Sequence, residues 1–360
     1  MKSIAHSKST RLFAYFQLMR KMAQQGHLPV TRQIFEMILL FIRRGLGPGY
    51  YLFGHFWRRD IPLRSKLRHL NERAYSRKLG DVNKPAYQKL SQHKVAEKAL
   101  FSLFSIPSPK FYGHLHPLSG LACNNSPLRN GMDLSNLLVE HKPQAICFKL
   151  VEGWGGAGFQ AAEINYDDAE PKLISMTDSA VTNPIQFVDE TLALRPESEG
   201  YVVEEYCRQH PWYSSLNPSS VNTLRIYAMC TPGKPGKLLG GYLRVGRHNS
   251  ITDNASTGGL WFVLDPKSGV LGRGVFDEVG SAEYSAHPDS GILLEGQKVP
   301  YWDAVCQIVP KVMSIFPYTQ FAGLDIAVTK EGPILIEINC QPDRGAACDI
   351  GIPTLDMLTP

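Results

Sequence analysis

GLDIAVTKEGPILIEINCQPD, residues 323–343, holds two apolar runs joined by Lys330-Glu331-Gly332. A three-residue connection with Gly last predicts a hairpin built on a type I turn, a left-handed Gly and a bulge. Counting outward from Thr329 opposite Pro333 pairs Ala327 with Leu335, Asp325 with Glu337 and Gly323 with Asn339. Period-two alternation then puts Asp325, Glu337 and Asn339 on one face and Ile334, Ile336 and Ile338 on the other. Facing cross-strand residues have Cβ atoms roughly 5 Å apart, where like charges are destabilising. At an effective dielectric of about 20 two such charges repel by roughly 3 kcal/mol. Two carboxylates and an amide oxygen are hard ligands suited to Mg²⁺, which reverses that sign. An ordinary hairpin with its acids in water satisfies the same pattern.

Upstream lie further strand-like runs: AICFKL (145–150), YVVEEY (201–206), TLRIYAM (223–229), LLGGYLRV (238–245) and GLWFVLD (259–265). Helical spacing falls between them, around Asn183–Ala193 and Trp302–Ile315. Hairpins without a regular βαβ alternation predict an α+β fold. Residues 1–90 read as a helical region, and the helix predicted from Ser91 stops at Ile106-Pro107-Ser108-Pro109. The expected division is 1–90, 91–200 with the glycine-rich loop, and 201–360 with the metal site.

The chain has 360 residues, 43% hydrophobic and 20% charged, which excludes a disordered chain. Its net charge of +5 is unevenly spread. Residues 1–100 carry 20 Lys/Arg against 5 Asp/Glu, and the other 260 carry 18 against 28. A basic N-terminal module on an acidic body reads either as a solvated helical face or as a surface for an anionic partner. Seven cysteines without CxxC or zinc-like spacing predict reduced thiols and a cytoplasmic protein. The segment LFAYFQLM (12–19) is too short and polar for a signal peptide. The run IFEMILLFI (34–42) is far below the roughly 20 residues that span a bilayer. Flanked by Arg32, Arg43 and Arg44, it reads as a helix packed on the body or lying in a membrane interface.

Gly153-Trp154-Gly155-Gly156-Ala157-Gly158 satisfies G-x-G-x-x-G. The text that follows, FQAAEINYDDAEPKLISM, reads as two strands about a turn, so the long helix of a dinucleotide fold is missing. A glycine loop after a strand can still close over nucleotide phosphates through its N–H groups, and Lys149 just before it offers a point charge. A plain hairpin loop is the alternative. Arg225 in TLRIYAM, and Arg244 and Arg247 ahead of Asp253-Asn254 and Gly258-Gly259, offer the planar fork that suits phosphate oxygens.

Taken in order, Lys94, Lys149 with its loop, VVEEY (202–206), NTLR (222–225), R-x-x-R with DNxxxGG (244–259) and D-x₁₁-E-x-N (325–339) resemble the ATP-grasp superfamily. The wording SVNTLRI and GLDIAV…EGPILIEIN is most similar to the sugar-transfer-associated ATP-grasp family. The likeness covers about residues 85–345. A Pro-Gly common in that family after the Asn is replaced here by Gln341-Pro342-Asp343-Arg344-Gly345.

The resemblance implies two α+β subdomains gripping ATP, with a basic helical N-terminal region. It implies that Lys94, Lys149, Gly153, Gly155, Gly156 and Gly158 meet the phosphates. Glu204, Glu205, Tyr206 and Cys207 would line the adenine site, with His210 reaching the ribose. Asp325, Glu337 and Asn339 would hold two Mg²⁺ ions, and Arg225, Arg244 and Asn254 would steady the transferred phosphoryl group. The implied activity is a Mg-ATP-dependent carboxylate–amine ligase working through an acyl phosphate, in polysaccharide or secondary-metabolite biosynthesis. A small-molecule kinase and a non-catalytic anion- or membrane-binding module are the alternatives. The expected partners are a carboxylate and an amine, with no nucleic acid. The basic region is the expected contact for an anionic acceptor or for the inner face of a membrane.

Overall fold

The computed structural model describes residues 8–153, 155–167, 170–276 and 283–359. Thirteen strands are present among them: β1 (Phe111–Leu115), β2 (Leu121–Ala122), β3 (Ala145–Leu150), β4 (Gln160–Asn165), β5 (Lys172–Ser175), β6 (Val181–Thr182), β7 (Tyr201–Glu205), β8 (Leu224–Met229), β9 (Lys237–Val245), β10 (Leu260–Leu264), β11 (Leu271–Val275), β12 (Phe321–Val328) and β13 (Pro333–Asn339). They form two sheets, in the orders β2-β1-β7-β3-β4-β5-β6 and β11-β10-β9-β8-β12-β13. Neighbouring strands run antiparallel, as hairpin connections require. The fold is α+β. By sheet membership the chain changes sheets after Glu205, so YVVEE pairs in the same sheet as β3, ahead of the glycine loop, although the second segment was expected to begin at 201.

Each sheet buries one face under helix. Leu134, Leu137 and Leu138 of the helix Gly131–His141 cover Ile146, Phe148 and Val203. That helix starts at Asn130, whose side chain accepts from the Met132 and Asp133 amides. The second sheet packs Ile226, Leu324 and Ile326 against Trp302, Val305 and Val309 of the helix Trp302–Ile315. The opposite faces carry the polar residues left for a site, and on the second sheet the far end of that face is covered in turn by the N-terminal region.

The basic N-terminal region folds as helices, chiefly Lys8–Gln24, Val30–Arg44 and Glu72–Val82. It docks on the second sheet through Leu70, Tyr75 and Leu79 against Tyr227, Met229 and Phe321. Asn83 seals the joint. Its amide donates to the Phe321 and Cys340 carbonyls at 2.6 and 2.7 Å and accepts from the Gln320 and Phe321 amides. Being fully buried and fully bonded, it specifies one docking geometry.

Between the sheets runs the helix Lys94–Leu103. Glu97 Oε1 accepts from the Ile338 amide at 2.8 Å, and the Pro107 carbonyl accepts from the Leu335 amide at 2.8 Å. These contacts cover the outer edge of β13, which would otherwise be an open edge.

Candidate active site

The hairpin of β12 and β13 has the expected pairs Asp325↔Glu337 and Gly323↔Asn339, but not the expected Ala327 with Leu335. Nearer the turn Ile326 faces Leu335 and Val328 faces Pro333, so one residue of β13, Ile336, is extra. The bulge therefore lies beside the acids and not at the turn. Gly332 is at φ +131, outside the left-handed helical well that was expected. Ile336 is accordingly turned to the cleft instead of joining Ile338 in the core.

Across the second sheet Glu337, Asp325, Arg225 and Tyr242 lie in one cross-strand row. Asp325 is buried and bonded by both Arg225 and Arg244, each with an Nη2 at 3.0 Å from Oδ2. Burial pushes this carboxyl up, yet the two guanidinium groups outweigh it and hold the group below its usual range. Arg244 Nη2 also donates to Thr223 Oγ1 at 2.7 Å, and Thr223 donates through N and Oγ1 to Asp253 Oδ2 at 2.9 and 2.6 Å. Thr223 and Asp253 were not among the expected site residues. They fix Arg244 from behind, and the alternation of Thr223 with Arg225 on one strand face was the available signal.

This wall borders a cleft of about 280 Å³ between the sheets. Lys94, Lys149, Gly153, Gly155, Gly156, Glu205, Tyr206 and Cys207 line it from one side, and Arg225, Arg244, Asn254, Asp325, Glu337 and Asn339 from the other. Most of the expected site residues are thus brought together. The loop reaches across: a Cβ on Gly156 would lie 2.9 Å from Asn254 Nδ2, and φ there is +78. Only glycine combines that backbone with that approach. Trp154 lies outside the described residues. Lys94 Nζ donates to the Gly153 carbonyl at 2.9 Å and lies 4.0 Å from Glu337 Oε2.

Three expected residues do not line the cleft. Gly158 packs against Leu150, where a Cβ would meet the side chain at 2.9 Å. His210 caps the helix Pro211–Leu216, its Nδ1 accepting from the Trp212 amide, and sits edge-on to Tyr301. Glu204 is wholly buried between two ammonium groups, Lys149 Nζ at 2.7 Å and Lys98 Nζ at 2.8 Å. Burial alone would raise its carboxyl, but the lysines lower it, so it remains ionised. Burial would likewise depress Lys149, but Glu204 raises it instead. Glu204 therefore positions the lysine that does face the cleft. The thiols of Cys147 and Cys207 are pushed up to about 12 by burial, which favours their neutral form.

A second chamber of about 850 Å³ adjoins the cleft and shares Gly155, Arg225, Arg244 and Asn254 with it. The N-terminal region supplies Tyr15, Tyr50, Phe53 and Glu72, and the second sheet supplies Tyr227, Tyr242 and Trp261. Asp343, Arg344 and Gly345 close it, so the stretch that departs from the family pattern is a chamber wall. Arg344 stacks over Tyr50 at 4.2 Å and donates to Glu72 Oε2 at 2.7 Å.

A glycine loop reaching over a cleft between two antiparallel sheets, opposite an arginine–carboxylate wall, defines an ATP-grasp protein. The chain belongs to the sugar-transfer associated ATP-grasp family, whose model matches residues 73–351. Among solved structures it is similar to D-alanyl-alanine synthetase A from Vibrio cholerae, at 12% identity and TM-score 0.40, over 71% of this chain and 57% of that one. It is similar also to an L-amino acid ligase from Bacillus licheniformis, at 12% identity and TM-score 0.38, over 72% and 43%. A third is the biotin carboxylase domain of the Hydrogenobacter thermophilus 2-oxoglutarate carboxylase, solved with MgADP, at 11% and TM-score 0.43, over 75% and 45%. The chain spans about half the length of these structures. No curated protein matches it.

Proposed function

We propose that the protein is an ADP-forming, Mg-ATP-dependent carboxylate–amine ligase. The observation that carries this reading is the wall of Arg225, Arg244, Asn254 and Gly155, which borders the nucleotide cleft on one side and the larger chamber on the other. A nucleotide under the glycine loop presents its terminal phosphate at that wall, and the second substrate meets it from the chamber. A carboxylate oxygen attacks the γ-phosphorus, the bond to the β–γ bridging oxygen breaks, and ADP leaves with that electron pair. An amine then attacks the acyl carbon, the C–O bond to phosphate breaks, and the amine proton passes to solvent.

Positioning and fixed charge suffice for such a reaction, with no covalent nucleophile. Arg225 and Arg244 bring planar donors already neutralised and oriented by Asp325, so they need little reorganisation at the transferred phosphoryl group. Lys149, oriented by Glu204, and Lys94, tied to the loop carbonyl, face the same space. Glu337 and Asn339 share a face with Asp325 and offer the hard oxygen donors of a divalent-cation site, which Asp325 would join by giving up a guanidinium contact; Mg²⁺ held there would offset phosphate charge. The family's description fits a role in polysaccharide or secondary-metabolite biosynthesis.

The test is ADP release over a panel of amino acids, amines and sugar acids, followed by mass spectrometry. With a hit acid carrying ¹⁸O in its carboxylate, the label should appear in released phosphate. A labelled phosphate ester with no free phosphate would instead identify a kinase.

A further inference from the structure

The helix Val30–Arg44 is packed the wrong way round for a soluble protein. Its buried side carries Gln33 and Glu36 beside Leu40, and its outer side carries Ile34, Phe35, Ile38, Phe41 and Ile42, each between 42% and 73% exposed. That spacing is a single stripe along a helix. The orientation is locked from beneath. Glu36 Oε2 is paired with the buried Lys66 Nζ at 2.7 Å and accepts from Tyr51 Oη, while Gln33 donates to the Met19 and Leu28 carbonyls. Rolling the stripe inward would break a buried ion pair and strand its charges. The neighbouring helix Lys8–Gln24 adds exposed Leu12, Phe13 and Phe16.

We propose that these two helices dock the protein on an anionic phospholipid bilayer, lying in its interface. The charge selects this occupant. Arg32 stacks over Phe35 at 5.3 Å, Arg43 follows Ile42, and residues 8–44 carry seven basic side chains against one acidic. Two copies of so basic a module repel, whereas an anionic surface attracts it while the stripe enters the acyl boundary. Among the described residues no helix is long and apolar enough to cross a membrane, so the contact is interfacial. Leu12 belongs to the exposed cluster and also to the wall of the second chamber, so docking brings that chamber to the bilayer surface.

The experiment is flotation of the full chain with vesicles of phosphatidylcholine alone and of phosphatidylcholine with phosphatidylglycerol. Binding is expected on the anionic vesicles, weaker by at least about tenfold on the neutral ones and reduced by salt. Phe35→Ser with Phe41→Ser should weaken it by at least about tenfold with an unchanged melting temperature. Arg43→Glu should weaken it only at low salt. Equal binding to both vesicles, retention of binding by the double variant, or a salt-stable dimer dissolved by that variant would each overturn the proposal. Neither phenylalanine touches the cleft or chamber, so failure here leaves the ligase reading intact.

Discussion

Lys98 ties the two jaws of the cleft together through Glu204. Its Nζ lies 2.8 Å from Glu204 Oε1 on the first sheet and donates at 2.8 Å to the Ile336 carbonyl on the second. The carbonyl it reaches is that of the bulged residue, so the same ammonium holds both the spacing of the sheets and the kink beside the acids.

Lys98→Met should therefore be costly. Glu204 would keep Lys149 but lose its second ammonium, and the Ile336 carbonyl would lose its donor, so a loss of about 2–3 kcal/mol is expected by urea denaturation. A loss below about 1 kcal/mol would mean that water replaces the ammonium there.

Glu337→Gln should leave the fold alone, because that side chain is 39% exposed. Mg-ATP turnover should fall on the order of 10²-fold, with a higher Mg²⁺ requirement. Unchanged turnover at every Mg²⁺ concentration would remove Glu337 from the metal set.

Tyr50→Leu probes the chamber alone. Its ring carries Arg344 and its hydroxyl bonds His69 Nδ1 at 2.9 Å, and none of these residues lines the nucleotide cleft. The KM of the chamber substrate should rise about tenfold, as for a lost stacked contact, while the KM for ATP stays constant. A rise for ATP instead would assign the chamber wrongly.

His69 gives a pH signature. Burial lowers its pKa to about 4 from an ordinary 6.5, so the folded state favours the neutral ring. The unfolded chain then binds more protons between those values, and stability falls as pH drops from about 6.5 through about 4. Urea midpoints for His69→Gln should decline less over that window than those of the parent chain.

Much of this was legible because it is local. Alternating polar positions in GLDIAV and LIEIN and the turn between them carry the opposition of Asp325 to Glu337. The bulge was not legible, since its partner, Lys98, lies 238 positions away. In YVVEE both acids look alike along the chain. Glu204 turns inward because Lys98 and Lys149 wait there, which no local pattern announces. Strands β1 and β11, broken by Gly and His residues, and the two-residue strands β2 and β6, too short to alternate, were missed, as was the helix begun by Asn130, although that cap was a readable signal. Asn83 closed the distance between the helical region and the sheet only once both were folded.

The two compartments differ in capacity as well as in lining, about 850 Å³ against about 280 Å³. Spaces of roughly 300–1,000 Å³ enclose drug-sized molecules, whereas a water occupies about 30 Å³ of liquid. On the proposed ligase reading, the roomier compartment, walled by aromatic rings, has space for a second substrate larger than a free amino acid. Substrate screens therefore gain most from long or ring-bearing acids and amines, and from conjugates that fill the space between Tyr50 and Trp261.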